Sequence, residues 1–220
     1  MKRLNRAYFA RPTLDVARDL IGVLLVHERD GERLVGRIVE TEAYTGNDPA
    51  MHGWKATFGD DGFVRPEGRA ADLFVAPGTA YVYRIYYTNW LLNVVTEPEG
   101  TAGAVLIRAL EPLEGIERMR AHRPASIRRD RDLTNGPGKL TQALGIDDAR
   151  FHGTDLTGSP LYFAEDDATP PEIATSSRIG ITRGVERAWR FFVPDHPFVS
   201  PGVPSDVKQA RKRAKQRGQP

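Results

Sequence analysis

The sequence predicts an α+β domain built on a mainly antiparallel sheet. Strand-like segments arrive in runs, with no regular helical crossover between successive strands, which argues against a doubly wound sheet. The 220 residues, 40% hydrophobic and 27% charged, suit one globular domain rather than a disordered chain. No repeat or composition break precedes Ser200-Pro201-Gly202-Val203-Pro204, where proline and glycine mark the end of the folded body. The expected organisation is one domain over 1–203 and a basic, disordered tail over 204–220.

Residues 11–22 read as a short helix. Pro12 suits a first turn, Leu14, Ala17, Leu20 and Ile21 share a stripe, and Gly22 ends it. Segments 22–27 and 34–44 read as strands joined by Arg29-Asp30-Gly31-Glu32, which contains the hairpin dipeptide Asp-Gly. Residues 45–72 lack clean periodicity and read as a long ordered loop of the functional sort. Strands are expected over 81–85 and 90–96, with Tyr86-Tyr87-Thr88-Asn89 at the bend, and over 104–109. Pro112 is expected to open a helix running to Arg123, with Leu113, Ile116 and Met119 inward. Leu133-Thr134-Asn135-Gly136-Pro137-Gly138-Lys139 reads as a turn into a helix over 140–144. Further short strands are expected over 159–163, 178–182 and 189–193.

Composition removes several chemistries. The chain has no cysteine, so disulfide scaffolds, thiol nucleophiles and iron–sulfur clusters are excluded. No apolar run approaches the length of a membrane span, and no apolar stretch follows the basic N-terminus as in a secretory signal. A cytosolic protein is the expectation. His27, His52, His122, His152 and His196 form no HExxH or HxH pair, and no GxSxG elbow occurs. Gly138-Lys139 fails as a P-loop, because Leu133 stands where the first glycine belongs and Leu140 follows the lysine.

Charge is unevenly spread. The last 14 residues carry Lys208, Arg211, Lys212, Arg213, Lys215 and Arg217 without an acid, so the net +2 divides into +6 there and −4 over the rest. Such a tail is either a solvated end or a polyanion tether. A second basic segment holds Arg118, Arg120, Arg123, Arg128, Arg129 and Arg131 against Asp130.

Two segments could carry chemistry. In Ile38-Val39-Glu40-Thr41-Glu42-Ala43-Tyr44, alternation puts Glu40, Glu42 and Tyr44 on one strand face. They are either a solvent-facing row or a carboxylate base beside an aromatic. Five of the 19 aromatics fall within residues 81–90. Tyr81 and Tyr83 are readable as core, whereas Tyr86 and Tyr87 at a hairpin tip suggest a stacking surface or wedge.

Taken together, these segments resemble the alkyladenine (3-methyladenine) DNA glycosylase family of base-excision repair. The resemblance is carried by Val16-Ala17-Arg18-Asp19-Leu20-Ile21-Gly22, Gly36-Arg37-Ile38-Val39-Glu40-Thr41-Glu42-Ala43-Tyr44 and Asp48-Pro49-Ala50-Met51-His52. It continues through Pro77-Gly78-Thr79-Ala80-Tyr81-Val82-Tyr83-Arg84-Ile85-Tyr86, Asn93-Val94-Val95-Thr96 and Val105-Leu106-Ile107-Arg108-Ala109-Leu110-Glu111-Pro112. The turn Leu133–Lys139 with Leu140, then Arg178-Ile179-Gly180-Ile181 and Trp189-Arg190-Phe191-Phe192, complete an ordered series over about residues 5–202.

The resemblance implies a single domain with a curved, barrel-like, mainly antiparallel core flanked by helices, and a β-hairpin projecting toward DNA. It implies a monofunctional N-glycosylase excising alkylated or deaminated purines, with Glu42 as the general base, Glu40 supporting it, and Arg108 helping to hold water and carboxylate. Arg108 is alternatively a salt-bridged strand end. Tyr44, His52 and Tyr83 match stacking walls for a flipped base. Tyr86 matches the wedge that fills the vacated space, and backbone amides near Ala50 and His52 would read the base edge. Asn93 matches a residue disfavouring the guanine amine, or is a strand amide bonding its neighbours.

The sequence also departs from the family. Tyr87 stands where glycine usually follows the wedge, so either tyrosine is a candidate for DNA intercalation. The segment 53–73 diverges, and Arg65 and Arg69 are phosphate-contact candidates or solvated loop arginines. The implied partner is double-stranded DNA containing damaged purines, met by a monomer in a bacterial-type cytoplasm, with no membrane, metal or cofactor. Two alternatives remain: a damage-binding module without turnover, and a glycosylase/lyase using Lys55 or Lys139 through a Schiff base.

Overall fold

A computed structural model of the chain describes residues 1–52, 57–58, 64–65, 68–85, 89–146, 149–158 and 160–217. The first elements are two helices, α1 (Arg6–Phe9) and α2 (Thr13–Asp19). A hairpin follows, β1 (Leu24–Arg29) and β2 (Glu32–Thr45), turning through Asp30 and Gly31, which both hold positive φ as the Asp-Gly dipeptide predicts. Within 45–72 the described residues add a two-stranded piece, β3 (Thr57–Phe58) with β4 (Val64–Arg65), and a 3-10 turn over Gly68–Leu73. The loop expected there therefore carries some regular structure. The second hairpin is β5 (Ala80–Ile85) and β6 (Asn89–Val95), followed by the long β7 (Gly103–Glu114). Tyr86 and Tyr87 lie outside the described residues.

Helices α3 (Ile116–Ala121), α4 (Arg131–Thr134) and α5 (Pro137–Ala143) come next. The remaining elements are β8 (Leu161–Ala164), β9 (Ala174–Ser176), β10 (Arg190–Phe192) and α6 (Ser205–Arg217). The main sheet runs β5-β6-β7-β2-β1-β8, with β10 added to β2 and β9 to β10, and every pairing is antiparallel. It curls into a half-barrel with helices against it: α2 on β2, α5 on β6 and β7. Between sheet and helices lies one main core, in which Phe9, Leu20, Leu25, Ile107, Leu110, Leu140 and Phe163 are fully buried or nearly so.

Strand β2 organises the molecule. It pairs with β7 over Val35–Thr45, with β1 over Glu32–Arg37 and with β10 over Glu40–Glu42. The β2–β7 register slips between Ile38 and Glu40, and again between Glu40 and Thr41. At the second slip Ala109 and Ile107 face Glu40 and Thr41, leaving Arg108 as the extra residue. Bulges bend a strand and re-aim side chains. This one lies where β2 exchanges β1 for β10.

Three expectations are corrected. Pro112 does not open a helix; it faces Gly36 in β7, beside a register slip where a missing N–H is tolerated. The chain leaves the strand at Gly115, φ 74°, a conformation costly for any side chain, and the helix begins at Ile116 with Leu113 exposed. Residues 178–182 form no strand, because their backbone groups go elsewhere: Ile179 N–H to Glu42, Ile181 N–H to Ser205 Oγ, and the Arg178 carbonyl to Ser205 N–H. The segment expected as a disordered tail is helical from Ser205. Its sequence is rich in helix formers, and Ser205 and Asp206 tie its first turn to the body.

Candidate active site

Glu42, near the C-terminal end of β2, is fully buried, and three groups converge on its carboxylate. The Tyr44 hydroxyl donates to Oε2 at 2.8 Å and the Ile179 amide to Oε1 at 2.7 Å. Arg108 Nη1 stands 3.3 Å from Oε1. Tyr44 and Ile179 both line an open cleft of about 900 Å³, together with His52, Tyr83 and Arg108. Glu42 thus lies directly beneath the cleft surface. Burial, then the nearby Glu42 charge, push the Tyr44 pKa well up, so its phenol remains a donor at neutral pH.

Glu40 is also fully buried, on the same side but deeper. Arg108 Nε donates to Oε1 at 2.9 Å and Arg190 Nε at 2.6 Å, while Ser200 donates its amide to Oε2 and its hydroxyl to Oε1, each at 2.8 Å. Burial alone would raise its pKa, but Arg108 and Arg190 outweigh that, and Glu40 is held below the usual carboxylate range. Arg108 therefore bridges the two carboxylates. Neither arrangement is the solvent-facing row that strand alternation also allowed.

One wall of the cleft is aromatic. His52 meets Tyr83 edge-on with ring centroids 4.7 Å apart, and its Nδ1 pairs with the Tyr81 hydroxyl at 2.7 Å. Tyr83 lies 5.1 Å from Tyr81, and the Arg69 guanidinium lies 5.8 Å over the Tyr83 ring. Loss of solvent and then Arg69 lower the His52 pKa, and burial with nearby Glu42 pushes Tyr83 up to about 12. The rings are uncharged at neutral pH. Behind them Tyr44, Ala50, His52, Tyr83 and Asn93 line a cavity of about 30 Å³, room for little more than water. Asn93 donates to the Tyr81 carbonyl at 3.0 Å, and the Ala50 amide donates to Asp48 Oδ1 at 3.1 Å.

Sequence reasoning gives no role to several of these groups. Arg178, fully buried, pairs with Asp48 through both terminal nitrogens, donates to the Ala43 carbonyl and lies 4.6 Å over the Tyr44 ring. It packs against the tyrosine ring that donates to Glu42. Arg190, Asp48 and Ile179 stand inside the quoted motifs, but Ser200 lies in a stretch that reads only as the end of the fold. Of the alternative lysines, Lys139 donates to Asn135 Oδ1 at 2.7 Å, and Lys55 lies outside the described residues. The Arg65 side chain also lies outside them.

The family description "Methylpurine-DNA glycosylase (MPG)" fits residues 7–197. The chain belongs to that family. It is 59% identical over 208 residues to a Salinibacter ruber protein named "Putative 3-methyladenine DNA glycosylase", covering 93% of this chain and all of that one. Proteins of the same name from Chlorobium luteolum and Chlorobaculum parvum are 45% and 43% identical, covering 93% and 96% of this chain and 100% and 98% of theirs. This family member is a DNA glycosylase, a hydrolase of N-glycosyl bonds. No helix among its described residues is long and apolar enough to cross a membrane.

Proposed function

We propose that this glycosylase hydrolyses the N-glycosyl bond of an alkylated or deaminated purine turned out of double-stranded DNA, with water as the nucleophile and Glu42 as the general base. The observation that carries the reading is the single hydrogen bond joining Glu42 to Tyr44, a ring of the cleft wall. An ionised carboxylate offers about four acceptor positions. Ile179 and Arg108 occupy Oε1 and Tyr44 occupies one position on Oε2, which leaves Oε2 able to take a water proton. As that proton moves to Glu42, the water oxygen bonds to C1′ and the glycosyl electron pair departs with the base. A cationic alkylpurine leaves neutral and needs no acid.

Arg108 is a positioning residue in this scheme: Glu40, held by Arg190 and Ser200, fixes the guanidinium that orients Glu42. Tyr44, His52 and Tyr83 stack on the extruded purine, replacing roughly 1–3 kcal/mol of lost base stacking per face. Neutral π faces favour a cationic purine by cation–π attraction. Asn93 disfavours guanine, and amides around Ala50 and His52 meet the base edge once the small cavity opens. Tyr86 or Tyr87 enters the duplex as the wedge, at the tip of a hairpin directed toward DNA.

A base-release assay across duplexes carrying 3-methyladenine, 7-methylguanine, hypoxanthine or ethenoadenine tests the reading. Cationic lesions should be released fastest, and borohydride should trap no protein–DNA adduct. Adduct formation would instead identify a lysine nucleophile. Binding without release of any of the four would leave a damage-binding module.

A further inference from the structure

Helix α6 differs from the rest of the molecule in how it treats its charges. Elsewhere arginines are mostly neutralised internally: Arg6 by Asp155, Arg11 by Asp19, Arg33 by Glu114, Arg37 by Glu111 and Asp166. Even the basic segment that begins in α3 pairs Arg118 with Glu32, Arg120 with Asp130 and Arg129 with Asp132. On α6, Lys208, Arg211, Lys212, Arg213 and Lys215 are all exposed and have no ion pair among the described residues. The helix's one acid, Asp206, accepts from the Ser177 hydroxyl at 2.6 Å.

Their spacing compounds this. Lys208 with Lys212, and Arg211 with Lys215, are i,i+4 neighbours, so like charges face each other along one stripe and disfavour the helix unless an anion neutralises them. That stripe lines a groove of about 750 Å³ whose other wall is Gly180, Ile181 and Thr182. The same three residues line the cleft above Glu42, so groove and cleft share a wall. The helix is fastened there: Ser205 N–H donates to the Arg178 carbonyl at 2.9 Å, Ser205 Oγ accepts from Ile181 at 3.2 Å, and Gln209 Nε2 donates to the Thr182 carbonyl at 3.3 Å.

We propose that α6 and residues 180–182 form a second DNA contact, a groove that takes the phosphate backbone of the duplex flanking the lesion held in the cleft. This rests on the proposed function only in taking DNA as the polymer. Thirteen helical residues extend about 20 Å, and a duplex strand carries one phosphate per ~3.4 Å of axis, so the contact spans about six base pairs on one side of the lesion. The groove reads charge rather than sequence.

The test uses the full chain and undamaged duplex, so it does not depend on base release and stands or falls separately from Glu42. Affinity is measured against salt for wild type, a Lys208→Gln/Arg211→Gln/Lys212→Gln/Lys215→Gln variant, and a Lys208→Arg/Lys212→Arg/Lys215→Arg variant. The glutamine variant should lower the magnitude of the log K–log salt slope by about 0.9 for each phosphate it no longer neutralises, up to about 3.6. The arginine variant should keep the wild-type slope. An unchanged slope in the glutamine variant, or an equal fall in both variants, would overturn the proposal. So would a glutamine variant that loses binding to phosphatidylserine-containing vesicles while keeping its duplex slope.

Discussion

Glu40 and Glu42 are two residues apart on one strand face, yet their surroundings separate their roles. Glu40 is saturated by two guanidiniums and Ser200, whereas Glu42 keeps acceptor capacity beneath the cleft. Removing Glu40 leaves Arg190 buried without a counter-charge and Arg108 with Glu42 as its one carboxylate, which costs about 3–5 kcal/mol. Chemical denaturation of Glu40→Ala should show a loss of that size, and a loss under about 1 kcal/mol would mean that the guanidiniums find other partners. His52 makes a different prediction. Its folded pKa lies below 6.5, so the ring stays neutral down through that pH and gains a proton only at more acid values. A charged ring repels a cationic purine, so release of such a lesion should fall below pH 6.5. In His52→Phe the acid limb attributable to that ring should vanish, and an unaltered limb would assign it to another group.

In the proposed function the β5–β6 hairpin is the element that meets the duplex. Tyr86→Ala and Tyr87→Ala should each be compared on duplex and single-stranded substrates. The wedge residue should show about a tenfold loss on duplex, or ~1.4 kcal/mol, and little change on single strands. Equal losses on both substrates would remove the intercalation argument. This hairpin and β1–β2 are readable in the sequence because period-two alternation brackets a turn signal. The bulge that re-aims Arg108 is not, since alternation carries no mark of which residue a register slip leaves unpaired. Residues 178–182 mislead for a related reason: an apolar segment can satisfy its amides on a carboxylate and a helix N-terminus as well as on a neighbouring strand. Pro112 likewise suits a helix start or a bulged strand, and Gly115 decides between them.

Across the molecule, local sequence signals locate the reactive segment, while long-range contacts assemble it. Tyr44, His52 and Tyr83 come from three separate segments, and Glu42 gains its amide donor from a residue 137 positions away. The tail shows the converse: charge density alone reads as disorder, but two side chains in its first turn dock it beside the cleft. In the proposed mechanism these features serve a carboxylate that takes a proton from water. Single-turnover base release by Glu42→Gln, with lesion-duplex affinity measured in parallel, tests that most directly. The amide preserves size and much of the hydrogen bonding but is not a base at neutral pH. Release should fall by about 10²–10⁴-fold with affinity within a few-fold of wild type. Full release by the glutamine variant would contradict the assignment of Glu42.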